Sequence, residues 1–206
     1  MLYLIWNEEL IHVPIEEDVH FEELCPCHWL DVERLFGPNG ACGGCWCMYW
    51  RAESYKAWRN MKGAGAKRCF KELVQKGKAH GILAFAGDEP VGWCSIGSRR
   101  DFPVLQKSKT YKRDDSDHVW SVTCFFIHRR WRRKGLSRGL LKTAVEVMRR
   151  RGVKLAEAYP VTTTKDGRRV GSSMAWTGPL TIFEELGFKQ VQTTNALKPL
   201  VRLELR

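Results

Sequence analysis

The sequence predicts one α/β domain built on a mixed sheet, and three stretches predict it. His80–Ala86 and Pro90–Gly97 are apolar runs on either side of Gly87-Asp88-Glu89, the pattern of a β-hairpin. Val119–Ile127 is a β-branched and aromatic run that passes through a basic loop into an amphipathic helix, Ser137–Arg151, and then into Val153–Val161. Such a β-α-β unit makes two parallel strands joined by a crossover helix. Pro179–Leu186, Phe188–Thr193 and Leu200–Leu205 close the order as α-β-β. With 206 residues, 44% of them hydrophobic, nine Trp and nine Phe, the chain can bury one substantial core.

Each element has a local cause. A short first strand is expected at Leu2–Trp6. His28–Phe36 places Trp29, Val32, Leu35 and Phe36 at helical spacing, and Gly37-Pro38-Asn39-Gly40 ends it. Gly43–Arg51 reads as a second helical piece, on which Trp46, Tyr49 and Trp50 share one face. Lys67–Lys76 reads as a helix stopped by Gly77. Arg99–Asp117 and Thr162–Ser173 are polar and read as exposed loops. In Ser137–Arg151 the inward positions are Leu140, Leu141, Ala144, Val145 and Met148, and Gly152 caps the end. Gly187 closes the last short helix.

The junction between strand and crossover helix is the most informative stretch. Ile127-His128-Arg129-Arg130-Trp131-Arg132-Arg133-Lys134-Gly135 puts a tight basic loop at a helix N-terminus. First-turn N–H groups lack intrahelical partners and point at an anion, and a glycine there lets backbone approach it. The segment is therefore a pyrophosphate site. The patterns of a P-loop and of a dinucleotide fold do not occur. The net charge of +11 suits acidic ligands, and its concentration around 129–138 and 149–154 favours a phosphate-bearing cofactor over a nucleic-acid face. The interleaved aromatics of an RNA motif are also lacking.

These residues carry a resemblance. Arg132-x-x-Gly135-x-Ser137 resembles the (Gln/Arg)-x-x-Gly-x-(Gly/Ala) signature of the GNAT N-acetyltransferases, and Ile127–Trp131 is similar to the V-x-P-x-Y that introduces it. Ile182-Phe183-Glu184-Glu185-Leu186-Gly187-Phe188 resembles the LYEKLGF of the same family, so that the likeness covers about residues 80–195. It implies a GNAT-like mixed sheet and acetyl-CoA as cosubstrate. Arg132, Arg133, Lys134, Gly135, Leu136, Ser137 and Arg138 would hold the cofactor. Phe125, Phe126 and Ile127 would offer strand-edge backbone to the pantetheine arm and an N–H to the thioester oxygen. Phe183 stands where the family often has a tyrosine that protonates the departing thiolate, and it is counted on the cofactor side. The asparagine that often opens that helix is absent, with Trp176-Thr177-Gly178 in its neighbourhood.

The expected activity is transfer of acetyl from acetyl-CoA to a primary amine, by direct attack in a ternary complex. Candidate acid–base residues are His118 at the start of the central strand, and Glu157 and Tyr159 on the next one. Trp46, Tyr49 and Trp50 are the candidate acceptor-binding surface, since aromatic faces attract an ammonium. Phe183 and the missing asparagine motivate the alternative, a CoA-binding sensor with weak or no transfer. No cysteine stands beside a His-Asp pair, so no covalent enzyme intermediate is expected. Cys25, Cys27, Cys42, Cys45 and Cys47 are numerous enough for zinc, but only Cys42 and Cys45 have the usual spacing, and no metal is assigned.

Residues 1–206 are expected to form a single GNAT-like domain, with 1–78 the helical acceptor-side part and 79–206 the acetyl-CoA-binding core. The expected partners are acetyl-CoA and an amine acceptor, with a homodimer left open. The first nine residues lack a basic n-region, and no run reaches the ~18–20 apolar residues of a membrane span, so a cytoplasmic protein with mostly reduced cysteines is expected.

Overall fold

The computed structural model describes residues 18–115, 118–162, 164–165, 168–169, 175–191 and 195–205, the two short pairs as backbone only. Nine strands are present among them: β1 Val19–Glu23, β2 His80–Ala86, β3 Glu89–Ser98, β4 Val119–Ile127, β5 Leu155–Ala158, β6 Thr164–Lys165, β7 Arg168–Arg169, β8 Lys189–Val191 and β9 Leu200–Glu204. The helices are α1 Trp29–Phe36, α2 Tyr55–Met61, α3 Ala64–Gln75, α4 Pro103–Lys107, α5 Leu136–Arg150 and α6 Leu180–Glu185.

Seven strands make one mixed sheet in the order β1-β2-β3-β4-β5-β9-β8, and β6 pairs with β7 apart from it. Only the β4–β5 pair of the large sheet is parallel. The crossover α5 that makes it so opens at Gly135, whose φ of 80° a side-chain-bearing residue rarely adopts. Alternation along the strands sorts side chains to two faces. Ile82, Ala84 and Ile96 meet Leu140, Leu141, Ala144 and Met148 of α5 on one. Leu83, Phe85 and Trp93 meet Trp29, Val32, Phe36 and Phe70 of α1 and α3 on the other. Each fully buried leucine or isoleucine contributes roughly 1.5–3 kcal/mol. A third cluster, Trp50, Phe102, Leu105, Tyr111, Tyr159 and Leu200, fills the side of the sheet beyond β4.

Several expectations change. The strand expected at Leu2–Trp6 lies outside the described residues. The edge strand that is described, β1, pairs antiparallel with β2, so residues before 79 supply a strand as well as helices. Gly43–Arg51 is a run of turns, not a helix, with Trp46 at φ 44° and Cys47 at φ 55°. Arg99–Asp117 is no exposed loop throughout: it contains α4, and Arg99, Phe102 and Leu105 are buried. The strand expected over Val153–Val161 is reduced to β5, because its pairing with β4 stops at Val122 and Ala158. No helix among the described residues is long and apolar enough to cross a membrane.

Candidate functional site

The site is built where β4 and β5 part. On the β3 side the register shifts between Ser95 opposite Cys124 and Ile96 opposite Val122, leaving Thr123 as an extra residue. A bulge of this kind bends a strand and re-aims the backbone that follows. Beyond it, β4 turns unpaired groups toward the gap left by β5. The Phe125 N–H donates to the Trp176 carbonyl at 2.6 Å, and the Thr123 carbonyl accepts the Trp50 indole N–H at 3.1 Å. Farther along, the Ile127 carbonyl accepts from Arg132 Nε at 3.1 Å. The segment that follows Trp176 also holds a buried Thr177 hydroxyl with no partner among the described residues.

The basic loop follows directly. Arg133 has a φ of 65° and Gly135 of 80°, and together they turn the chain into the first turn of α5. A Cβ on Gly135 would meet nothing within 4 Å, so the space in front of this backbone is open. His128 Nδ1, at the entrance to the loop, is buried without a partner among the described residues. Arg132, Arg133, Lys134 and Ser137 surround this opening in sequence, and Lys134 Nζ rests over the Trp131 ring at 4.4 Å. Arg138 is engaged elsewhere, its guanidinium making two bonds to Glu185 at 2.6 and 2.7 Å. Leu136 and Phe183 are buried core side chains, and Phe183 packs edge-on against Phe125 and Phe188. Their side chains support the loop and do not line it. Phe126 likewise points into the α1 side, against Phe36.

The aromatic residues do not share a helical face. Trp46 is core, stacked on Trp29 and tilted against Phe36. Trp50 is buried and tied to β4. Tyr49 alone of the three is central to a surface cluster, with Trp50 at 4.9 Å, Trp58 at 5.1 Å and Trp176 at 5.2 Å between ring centroids. Tyr55 and Trp58 come from α2 and Trp176 from the segment capping β4, so tertiary packing assembles what no periodicity could show. Cations already lie on these rings: Lys62 over Trp58 at 5.0 Å, Arg59 over Tyr55 at 5.9 Å and Lys198 over Trp176 at 4.6 Å.

The three acid–base candidates lie apart from this gap. His118 is exposed at the opposite end of β4, seven residues or about 23 Å of strand from Phe125. Glu157 is fully buried, and both of its oxygens are claimed. Oε1 accepts from Arg99 and from the Tyr159 hydroxyl, and Oε2 accepts from Arg202 Nε at 2.8 Å. Two guanidiniums and a phenol thus take up this carboxylate inside the protein. Tyr159 is buried too, with Ser121 Oγ at 3.1 Å, and burial pushes its phenol up to about 12. The arrangement is a buried charge clamp that joins β5, β9 and the segment before α4. The sequence offered no signal for Arg99, which stands in a charged run. Cys25 and Cys27 form a disulfide; with His28 they are the metal-type cluster found among the described residues, but disulfide sulfurs are not thiolate ligands.

Comparison with known proteins gives the family and the fold. The sequence model of the acetyltransferase (GNAT) family matches residues 45–169. No curated protein sequence matches the chain. Among solved structures, the PaiA N-acetyltransferase of Thermoplasma acidophilum in complex with coenzyme A aligns at 12% identity over 91% of this chain and 99% of its own, with a TM-score of 0.51. A GNAT acetyltransferase of Streptococcus pneumoniae aligns at 12% identity over 92% and 100%, with a TM-score of 0.53. YncA of Salmonella typhimurium, solved with its cofactor acetyl-CoA, aligns at 12% identity over 91% and 94%, with a TM-score of 0.52. At such identities the likeness is one of fold.

Proposed function

This chain belongs to the acetyltransferase (GNAT) family, and we propose that it transfers acetyl from acetyl-CoA to a primary amine by direct attack in a ternary complex. The observation that carries this reading is the open, left-handed Gly135 at the start of α5, beside the point where β4 loses its partner. The first-turn N–H groups of α5, with Arg132, Arg133, Lys134 and Ser137, bind the pyrophosphate. Backbone of Phe125–Ile127 pairs with the pantetheine arm in place of the internal partners it now has. The Phe125 N–H, once the Trp176 carbonyl withdraws, donates to the thioester oxygen and stabilises the oxyanion.

The acceptor is an amine that enters as an ammonium over Tyr49, Trp58 and Trp176. Its proton passes to water before attack. Lys198 supports that step by example, since burial beside the Trp176 ring lowers the pKa of its ammonium. Nitrogen then attacks the carbonyl carbon and releases its second proton to water, the C–S bond breaks, and CoA leaves as the thiol with a proton from solvent. A second reading, a CoA-binding sensor, draws on Phe183, a hydrocarbon side chain where many relatives carry a tyrosine.

Calorimetric titration with acetyl-CoA, repeated on Gly135→Glu, tests the cofactor site. Binding by the natural protein and at least about a hundredfold weaker binding by a folded variant is the expected result. Release of CoA with any amine of a panel then separates transferase from sensor. Absence of binding by the folded natural protein would overturn both readings.

A further inference from the structure

Two thiols that acetyl transfer does not use meet beneath the acceptor surface. Cys47 lies in the turn before α2, and Cys124 lies on the bulged part of β4, immediately before Phe125. The Cys124 thiol lies within reach of the Cys47 sulfur, with the Phe125 carbonyl at 3.7 Å as its other acceptor. The fully buried Trp93 points its indole N–H at the same sulfur, at 3.2 Å. Ser95 is a further hydrogen-bonding partner, and Arg51 adds positive charge. The turn is wound tightly to place that sulfur, for Trp46 and Cys47 are consecutive side-chain-bearing residues at φ 44° and 55°. Both residues are partly exposed.

We propose that Cys47 and Cys124 form an oxidisable pair, in which a hydroperoxide oxidises Cys47 and Cys124 resolves the product into a disulfide. The Cys47 thiolate attacks the peroxide oxygen, an S–O bond forms, the O–O bond breaks, and the alkoxide or hydroxide leaves with a proton from water. The Cys124 sulfur then attacks the sulfenic sulfur. The S–S bond forms, the S–O bond breaks, and the hydroxyl leaves as water with the Cys124 proton. The surroundings fit these roles. Donation by Cys124 first, then by Trp93, and the charge of Arg51 draw the Cys47 thiol down to about 6, against burial. The other thiols around it go the opposite way: Cys124 is raised by its bond to Cys47 and by burial, and Cys94 and Cys45 chiefly by burial. A thiolate is the form that peroxide oxidises, so Cys47 is singled out from its neighbours.

The disulfide would staple the turn to β4 one residue before the Phe125 N–H while leaving the Gly135 loop free. Transfer would stop and acetyl-CoA binding would persist; that consequence rests on the acetyltransferase reading, whereas the disulfide itself does not. The test is peptide mapping under non-reducing conditions after exposure of the full chain to one equivalent of hydrogen peroxide. A linked pair of peptides carrying Cys47 and Cys124, reversed by dithiothreitol, is expected, with the Cys25–Cys27 disulfide present before and after. In Cys124→Ser, dimedone should trap a sulfenic acid at Cys47. Independently, iodoacetamide should alkylate Cys47 at pH 7 about tenfold faster in the natural protein than in folded Trp93→Phe, which lacks the indole donor. Folded natural protein that leaves both thiols reduced, or that links either one to another cysteine, overturns the proposal. A crosslink without acetyl-CoA binding by the untreated protein would retain the proposal and sink the transferase reading.

Discussion

The two halves of β4 use the same kind of backbone for opposite ends. The first half, around Ser121, is paired on both sides and covers a buried charge cluster in which Glu157, Arg99, Tyr159 and Arg202 bond to one another. The second half, from Thr123 to Ile127, has lost β5, and its edge groups hold replaceable partners: an indole, a loop carbonyl and an exposed arginine. The contrast teaches where to look for function. Charge engaged in a buried cluster is closed to chemistry, whereas backbone polar groups with makeshift partners are the ones a ligand would claim.

That comparison breaks most readily at the clamp. Glu157→Ala leaves the buried Arg99 guanidinium without its carboxylate, beside the part-buried Arg202, and a loss of about 3–5 kcal/mol is expected in urea unfolding. Acetyl-CoA affinity of the protein that remains folded should be unchanged; a parallel loss of affinity would make Glu157 part of the site. Trp50→Phe is the smaller test on the other half. It removes the donor to the buried Thr123 carbonyl and should destabilise by about 1–3 kcal/mol. If instead it leaves stability untouched, the end of β4 is already open to water.

Glu185→Gln sharpens the comparison at the loop. It frees Arg138 from its two bonds and should tighten acetyl-CoA binding about threefold at low salt, an advantage that fades as salt is added. Unchanged affinity would place Arg138 outside the pyrophosphate site. The smallest effect is at the clamp's rim, where Arg202 hydrogen-bonds Asp115 and lowers its pKa. A carboxyl whose folded pKa is depressed adds stability that is complete above the unfolded value near 3.9 and is lost as pH falls through the folded one. Asp115→Asn should therefore lower Tm modestly at neutral pH, flatten the acid end of a Tm-against-pH curve below about pH 4, and converge with the natural protein at the lowest pH.

The sheet was legible because its causes are local. The strand limits of β4, the inward stripe Leu140, Leu141, Ala144, Val145 and Met148, and the glycines at 135, 152 and 187 all follow from periodicity and backbone conformation within one element. The basic loop before α5 was legible for the same reason, being one contiguous stretch. The aromatic cluster was not. Trp46, Tyr49 and Trp50 read as one helical face because aromatic spacing alone cannot reveal two consecutive left-handed residues. Arg99 read as solvated because its partners, Glu157 and the Tyr111 carbonyl, are a strand and a loop away.

By itself, then, the sequence determined the mixed sheet, its crossover helix and the glycine-bearing basic loop that opens it, since hydrophobic period and glycine placement act over a few residues. Only the tertiary structure decided that Glu157 is clamped, that Trp176 caps β4, and that Cys47 meets Cys124 seventy-odd residues away. Those outcomes depend on which side chains share a low-dielectric interior, and that is settled by the packing of distant segments rather than by any pattern along the chain.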